Sequence, residues 1–286
     1  MKLGVTAVML PELDFEQQIA LCVKTGLSFY QYRPRQISLE QRGKAFSYWG
    51  NHQFDLTPQR LVNEGAAMTK RLRAAGLEPF GTVPAISVDS PDEMIALHVR
   101  GAAVSEAGRI RCNPPGYPKI AFDYPKYLAA TVRRYAEVVE KIARPAGIKL
   151  VIETHSITAA ASPALAWNIL REFSPKDVGA IFDIANFNRE GELVPRLAVA
   201  VLRDYIDCVH IGGLRRVSPG RDEWGCRKIE HVCCALEEAD GYIPNWIAAL
   251  KEAKVEAPLI IEDYEEGISS EVRLTRAADL LRRLLE

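Results

Sequence analysis

The sequence lacks a long apolar run, an excess of either charge and any Cys-x-x-Cys pair. A helix that crosses a membrane needs about 20 consecutive apolar residues. The longest apolar runs here, such as residues 4–10, have only the length of a β-strand. The first residues also lack the length and the small-residue cleavage site of a secretory signal peptide. The sequence therefore predicts a cytoplasmic protein that does not act on a membrane.

The near-equality of the two charges disfavours one class of partner. Lys and Arg number 36 and Asp and Glu number 37, which gives a formal net charge of −1. Proteins that bind a phosphate backbone usually carry a basic excess, so no nucleic-acid partner is expected. The six cysteines, without Cys-x-x-Cys spacing, indicate reduced and mostly structural thiols rather than a zinc knuckle.

What the chain does contain is a regular alternation of strand-like and helix-like segments. Helix starts are marked by the capping-box pattern at Asp14 and Gln17 and by Thr57 before Pro58, and Gly26 and Gly76 stand at helix ends. Strand-like segments recur eight times: residues 4–10, 27–32, within 77–86, 109–112, 148–153, 178–183, 206–210 and 258–262.

Eight such strands, each followed by a helical pattern, indicate a parallel sheet closed into a barrel. An open, doubly wound sheet is the rival fold, but it would favour a Gly-x-Gly-x-x-Gly loop after an early strand, and the sequence has none. No linker or low-complexity segment divides the chain. The predicted fold is α/β, a single (β/α)₈ TIM barrel domain over residues 1–286.

Four strands of the second half end on side chains that can bind a metal, namely Glu153, Asp183, His210 and Glu262. Alternate side chains of a strand share a face. The residue two positions before each of the four is apolar, so these apolar residues would form a packed layer beneath a polar ring: Val151, Ile181, Cys208 and Ile260.

Active sites of TIM barrels lie at the carboxyl ends of their strands. Converging carboxylates repel one another unless a cation or a proton lies between them. Three carboxylates and one imidazole suit one divalent ion, with Mn²⁺ favoured and Mg²⁺, Co²⁺ or Zn²⁺ also compatible.

With these residues the chain resembles the xylose-isomerase-like TIM-barrel superfamily of sugar isomerases, ketose 3-epimerases, related dehydratases and endonuclease IV. The resemblance rests on Glu153-Thr154-His155, Asp183-Ile184-Ala185-Asn186, His210 and Glu262. It implies that these four positions bind one divalent metal and that Glu153 and Glu262 also transfer protons. The chain departs from the family where Asn186 replaces a common histidine and where Gly212 and Gly213 follow His210 in place of Lys-Asp.

Several reactions share the chemistry that this site would support. A metal that chelates a carbonyl and a neighbouring hydroxyl acidifies the carbon between them and stabilises the enediolate, and a carboxylate can remove the proton. Return of the proton gives epimerisation or isomerisation, and loss of a β-substituent gives elimination. The leading prediction is an isomerase or epimerase of a sugar or sugar acid, with a lyase or dehydratase of a keto-sugar or related polyol as the alternative.

Two other functions are less favoured. An endonuclease-IV-like phosphodiesterase needs a cluster of several zinc ions, for which five histidines are too few. A non-catalytic sugar-binding barrel would not need two glutamates that can act as bases.

Further candidates surround the predicted ring. His155 and Asn186 are predicted to contact the substrate, and Arg215, Arg216 and Arg33 are predicted to hold an anionic group or hydroxyls of a small carbohydrate. Arg111 also falls near a strand end. A homo-oligomer is compatible with the sequence. The aromatic residues near the second strand favour the core or a dimer surface over a sugar platform: Phe29, Tyr30, Tyr32 and Trp49.

Overall fold

Eight parallel strands close into a barrel in the computed structural model, which describes residues 1–191 and 194–286. The barrel strands are β1 Leu3–Thr6, β2 Phe29–Tyr32, β3 Glu78–Thr82, β4 Arg109–Arg111, β5 Lys149–Glu153, β6 Val178–Asp183, β7 Ile206–Ile211 and β10 Leu259–Ile261, and a separate antiparallel ribbon consists of β8 Gly213–Val217 and β9 Glu230–Cys234. Around the barrel the strands follow the order β1-β10-β7-β6-β5-β4-β3-β2. The structure is therefore the (β/α)₈ TIM barrel that the sequence predicts.

Helices surround the strands. They are α1 Phe15–Lys24, α2 Pro58–Ala74, α3 Asp92–Val104, α4 Tyr124–Val138, α5 Pro163–Leu170, α6 Ile184–Glu190, α7 Pro195–Leu202, α8 Ile243–Glu252 and α9 Ser270–Leu285. The predicted capping box begins α1, since the Asp14 side chain accepts a hydrogen bond from the Gln17 backbone and Gln17 returns one. Among the described residues, no helix combines the length and apolar character that a membrane crossing requires.

Two apolar layers hold the barrel together. The larger lies between the strands and the helices and includes side chains of every barrel strand except β3. The smaller fills the barrel interior and consists of Phe80, Val83, Val151, Ile181, Cys208 and Ile260. It contains all four residues that the sequence places beneath the polar ring, so the inward faces of the second-half strands are assigned correctly.

The pairing register brings the ends of neighbouring strands to one level. Asp183 at the end of β6 pairs with His210 of β7, and Glu153 at the end of β5 pairs with Ile181 of β6. On the other side of β7, Ile261 at the end of β10 pairs with Ile211, so Glu262 follows at the same edge. Four consecutive strands of the barrel therefore end around one point.

Two local predictions are wrong in extent. The first strand ends at Thr6, and residues Ala7–Met9 form a 3₁₀ turn, because a continuous apolar run does not mark where a strand stops. The alternation is also interrupted after β7 by the β8–β9 ribbon. The ribbon strands are joined by a long loop, and therefore carry no short turn signature in the sequence.

The glycine pair after β7 allows this interruption. A Cβ atom added at Gly212 would overlap the backbone carbonyl oxygen of Glu262, and one added at Gly213 would overlap the carbonyl oxygen of Cys234. The backbone of this segment thus passes closer to its neighbours than any side chain permits. Glycine at both positions lets the ribbon leave the barrel without displacing Glu262.

We expect Gly212→Ala to destabilise the fold by about 1–3 kcal/mol, because the added methyl group forces the Glu262 backbone to move. Urea denaturation followed by circular dichroism measures the change. The matched control is Gly116→Ala, where the added Cβ would meet the Ile157 carbonyl oxygen at an ordinary 3.4 Å. Equal unfolding midpoints for the two variants would contradict the packing argument.

Candidate metal centre and active site

Three carboxylates and one imidazole converge at the carboxyl end of the barrel. One ligand atom from each of Glu153, Asp183, His210 and Glu262 lies within 4.8 Å of the others, and all four residues are buried. The Nδ1 atom of His210 lies 2.7 Å from Oε2 of Glu262, 3.5 Å from Oε1 of Glu153 and 4.0 Å from Oδ2 of Asp183. The structure thus brings together the four residues predicted as metal ligands.

Backbone contacts at the strand ends hold two of these carboxylates in place. The Asp183 side chain caps α6 by accepting a 2.8 Å hydrogen bond from the Asn186 backbone. Its own backbone amide donates to Thr154 Oγ1 at 2.9 Å. The Glu153 amide donates to Asn113 Oδ1 at 2.9 Å. Each strand end is therefore tied to the loop of a neighbouring strand.

The imidazole of His210 is oriented from its far side. Its Nε2 atom lies 3.0 Å from Oε1 of Gln31, an acceptor when the amide is placed in this orientation. A proton on Nε2 leaves the Nδ1 lone pair facing the carboxylates. Ligating histidines typically carry such a partner on the second ring nitrogen. The Nδ1 atom then faces three negatively charged neighbours, and a cation or a proton between them removes the repulsion.

Positive and neutral donors bind the outer oxygens of the glutamates. Arg111 Nη1 donates to Glu153 Oε2 at 2.7 Å, and the same guanidinium also donates to the Pro84 carbonyl. The hydroxyl of Tyr264 donates to Glu262 Oε1 at 2.6 Å. In each glutamate the other oxygen, Oε1 of Glu153 or Oε2 of Glu262, faces His210.

Protons balance the cluster when no cation is present. Burial raises the pKa of Asp183 to about 8, and the charges of Glu153 and Glu262 add to this effect. Burial opposes protonation of His210, but the surrounding glutamates outweigh it and hold its pKa well above the usual range. Burial also opposes ionisation of Glu153, yet the neighbouring Arg111 and His210 hold its pKa below the ordinary value. The donor set therefore fits a divalent cation, which would replace these protons.

A cavity of about 680 Å³ opens above the four side chains. Of the other predicted contact residues, His155, Asn186 and Arg33 line it, as does Arg111. The prediction for Arg215 and Arg216 is wrong: both are exposed on β8 and neither lines the cavity, and Arg216 pairs with Asp240 at 3.2 Å. The reason is the ribbon, which carries this segment out of the barrel and turns these side chains to solvent.

Sequence reasoning missed several residues of the site. Gln31, Asn113 and Tyr264 contact the cluster, but amide and phenol side chains at strand ends carry no motif that would distinguish them. Tyr264 follows Glu262 by two residues, which was the one available signal. Tyr30 and Tyr32 belong to the core as predicted, whereas Trp49 lines the cavity.

The sequence profile of the xylose isomerase-like TIM barrel family matches residues 40–284. The chain belongs to this family. The match covers most of the chain, and the sequence-based resemblance is therefore confirmed. The sequence matches no curated protein significantly.

Solved structures share the fold at low sequence identity. A probable 3-DHS dehydratase, AsbF of Bacillus anthracis, is 13% identical with a TM-score of 0.74, and the match covers 99% of each chain. The IOLI protein with a binding zinc atom is 14% identical with a TM-score of 0.74 over 100% of this chain and 98% of that one. A D-allulose 3-epimerase from Methylomonas sp. in complex with D-allulose is 15% identical with a TM-score of 0.67 over 99% and 96%.

We expect the protein to bind one divalent ion per chain, and Asp183→Asn to weaken this binding by at least ~10²-fold, because a neutral amide replaces a buried anionic ligand. Equilibrium dialysis with Mn²⁺, followed by elemental analysis, measures the affinity. Asp279→Asn is the control, because this carboxylate is exposed and pairs with Arg282. Equal affinities in the two variants would show that the ion does not bind at the cluster.

Metal affinity should rise with pH between about 6 and 8. Asp183 and His210 hold protons in the metal-free protein, and the ion must displace them. Below the pKa of a group that must lose its proton, the metal affinity rises by up to ~10-fold per pH unit for each proton displaced. Calorimetry in buffers of different ionisation enthalpy counts the protons released. A pH-independent affinity without proton release would contradict the assignment of these protonation states.

Proposed function

We propose that the protein is a divalent-metal-dependent isomerase or epimerase of a sugar or sugar acid. The observation that carries the proposal is the convergence of Glu153, Asp183, His210 and Glu262 beneath a cavity large enough for a small carbohydrate. When bound there, a divalent cation would polarise a carbonyl group and acidify the adjacent carbon. Two glutamates beside the same point supply the bases that such a reaction needs.

Glu153 is a charged carboxylate at neutral pH. Arg111 and His210 hold its pKa below the ordinary value, so the carboxylate is ionised at neutral pH. The 2.7 Å bond from Arg111 also fixes the orientation of the carboxylate. Glu153 would therefore present a charged oxygen to a C–H bond in the cavity.

Glu262 differs from Glu153 in its outer partner. Its Oε1 atom accepts a hydrogen bond from Tyr264, a neutral group, whereas Glu153 is paired with a cation. In this proposal the strands β5 and β10, separated by β6 and β7, place the two glutamates on different sides of the bound substrate. One glutamate would remove the proton from one side, and the other would return a proton from the second side.

Asp183 and His210 have a different role in the proposal. Asp183 is fixed as the cap of α6, and His210 is held by Gln31, so both act as ligands rather than as mobile acids or bases. Asn186 and His155 line the cavity above them and would orient the substrate hydroxyls.

A lyase or dehydratase is the second candidate, and His155 is the observation that favours it. This side chain lines the cavity, where it could protonate a departing hydroxyl group after Glu153 or Glu262 has removed the first proton. Both reactions therefore begin with the same proton abstraction. Product analysis by mass spectrometry separates them, since elimination of water lowers the mass by 18 units and isomerisation leaves it unchanged.

The two-base proposal predicts that Glu153→Gln and Glu262→Gln lose ~10²–10⁴-fold in turnover, because the amide removes the base. The amide keeps an oxygen, so each variant should retain much of its metal. The assay follows deuterium incorporation from D₂O beside the carbonyl of a panel of ketoses and their C6 acids by NMR, with metal content measured on the same samples. Glu256→Gln, an exposed position before β10, is the control.

The outcomes separate the parts of the proposal. A metal-loaded glutamine variant that exchanges at the wild-type rate shows that this glutamate is only a ligand. A metal-loaded wild-type protein that exchanges no member of the panel contradicts the proposed reaction.

A further inference from the structure

Arg33 is a cation without an anionic partner in the described part of the chain. It follows β2 and lines the cavity above the metal cluster. Its Nη1 atom donates a hydrogen bond to the carbonyl oxygen of Val83. Its Nε atom is buried and has no hydrogen-bond partner among the described residues. A partly buried guanidinium without an anionic partner calls for an explanation.

The other arginines near the site do not share this condition. Arg111 is paired with Glu153 and bonded to the backbone of residues 83 and 84. Arg189 lines the rim of the cavity but is exposed, so water can solvate it. Arg215 and Arg216 lie on the ribbon, outside the cavity. Arg33 is thus distinguished by combining partial burial, a place in the cavity lining and the lack of an acidic partner.

The charges of the site leave Arg33 unbalanced. The carboxylates of Glu153, Asp183 and Glu262 contribute three negative charges. A bound divalent cation and the paired Arg111 would together offset them when His210 is neutral. Burial and the neighbouring Arg111 lower the pKa of Arg33 to about 10, so Arg33 still carries its charge at neutral pH. One positive charge therefore remains for the substrate to neutralise.

We propose that Arg33 binds a carboxylate of the substrate, so that the molecule turned over here is a keto acid rather than a neutral sugar. The inference rests on the proposed function, since it assigns the substrate class of the same site. The planar guanidinium of Arg33 lines the cavity, and its fork of N–H groups matches the two oxygens of a carboxylate. The single unbalanced charge favours a carboxylate over a phosphate ester, which carries close to two negative charges.

The position of Trp49 supports a bound group at this point. Its ring centre lies 5.9 Å from the Arg33 guanidinium, and the ring also contacts Tyr264 with centres 5.0 Å apart. Trp49 therefore connects the surroundings of Arg33 with those of Glu262. A substrate that spans the cavity would meet the metal ligands with its carbonyl end and Arg33 with its acidic end.

Calorimetry on the Mn²⁺-loaded protein tests the inference with matched pairs of compounds. D-fructose is compared with D-fructuronate, and D-tagatose with D-tagaturonate, since each pair differs only in a carboxylate at C6. We expect at least one acid to bind ~10-fold or more tightly than its ketose. D-fructose 6-phosphate tests whether a phosphate ester is preferred, and it should bind more weakly than that acid.

Substitutions test whether Arg33 causes the tighter binding of the acid. Arg33→Met should abolish it, whereas Arg33→Lys should keep part of it, because the charge remains but the planar fork is lost. Arg215→Met is the control, since it removes an arginine that lies outside the cavity. Thermal unfolding of each variant shows whether it is folded. If Arg33→Met does not fold, the partial loss of the preference in Arg33→Lys still tests the inference.

The inference is overturned if neither acid binds more tightly than its ketose, if the phosphate ester is preferred, or if the preference survives in Arg33→Met. Its failure can be distinguished from failure of the proposed function, because calorimetry reports binding and deuterium exchange reports chemistry. Exchange without an acid preference refutes only the role of Arg33. An Arg33-dependent preference without exchange of any compound refutes the proposed reaction and leaves the carboxylate site.

Discussion

The repulsion among three buried carboxylates around one imidazole is the constraint on which the rest of this structure depends. Charged groups removed from water and placed within a few ångströms are costly unless opposite charges or protons accompany them. Glu153 has Arg111, Glu262 has Tyr264, and His210 has Gln31 on its far side. These partners neutralise or orient each group, but together they leave a central position that a divalent cation fits.

The barrel supplies the rigidity that such a cluster requires. The four side chains stand on or directly after consecutive strands β5, β6, β7 and β10, and an apolar layer lies immediately beneath them. Because interiors are packed at the density of organic crystals, this layer fixes the strand ends from below. Above this layer the chain departs from the family pattern at Asn186, in the first turn of α6, and at the glycine pair after His210.

The polar ring at the strand ends and the segments above it have different roles in the proposed function. In that proposal, the polar ring would supply chemistry that several reactions share, and the cavity wall would determine which substrate binds. Arg33 and Trp49 come from the segment after β2, and His155 comes from the loop after β5. In the proposed function, substrate class therefore depends on residues that lie far apart in the chain and meet only above the ring.

The sequence by itself determined the fold class, the inward faces of the second-half strands and the four side chains of the ring. These features follow from local periodicity, because alternate residues of a strand point to the same face. When the apolar residue two positions earlier faces the barrel interior, Glu153 or Asp183 at the strand end faces it too. The tertiary structure decided which arginines face the cavity, since Arg215 leaves the barrel with the ribbon while Arg33 stays. It also decided the partners Gln31, Asn113 and Tyr264, because side-chain contacts between distant segments depend on register and backbone path, and neither is encoded in a local pattern.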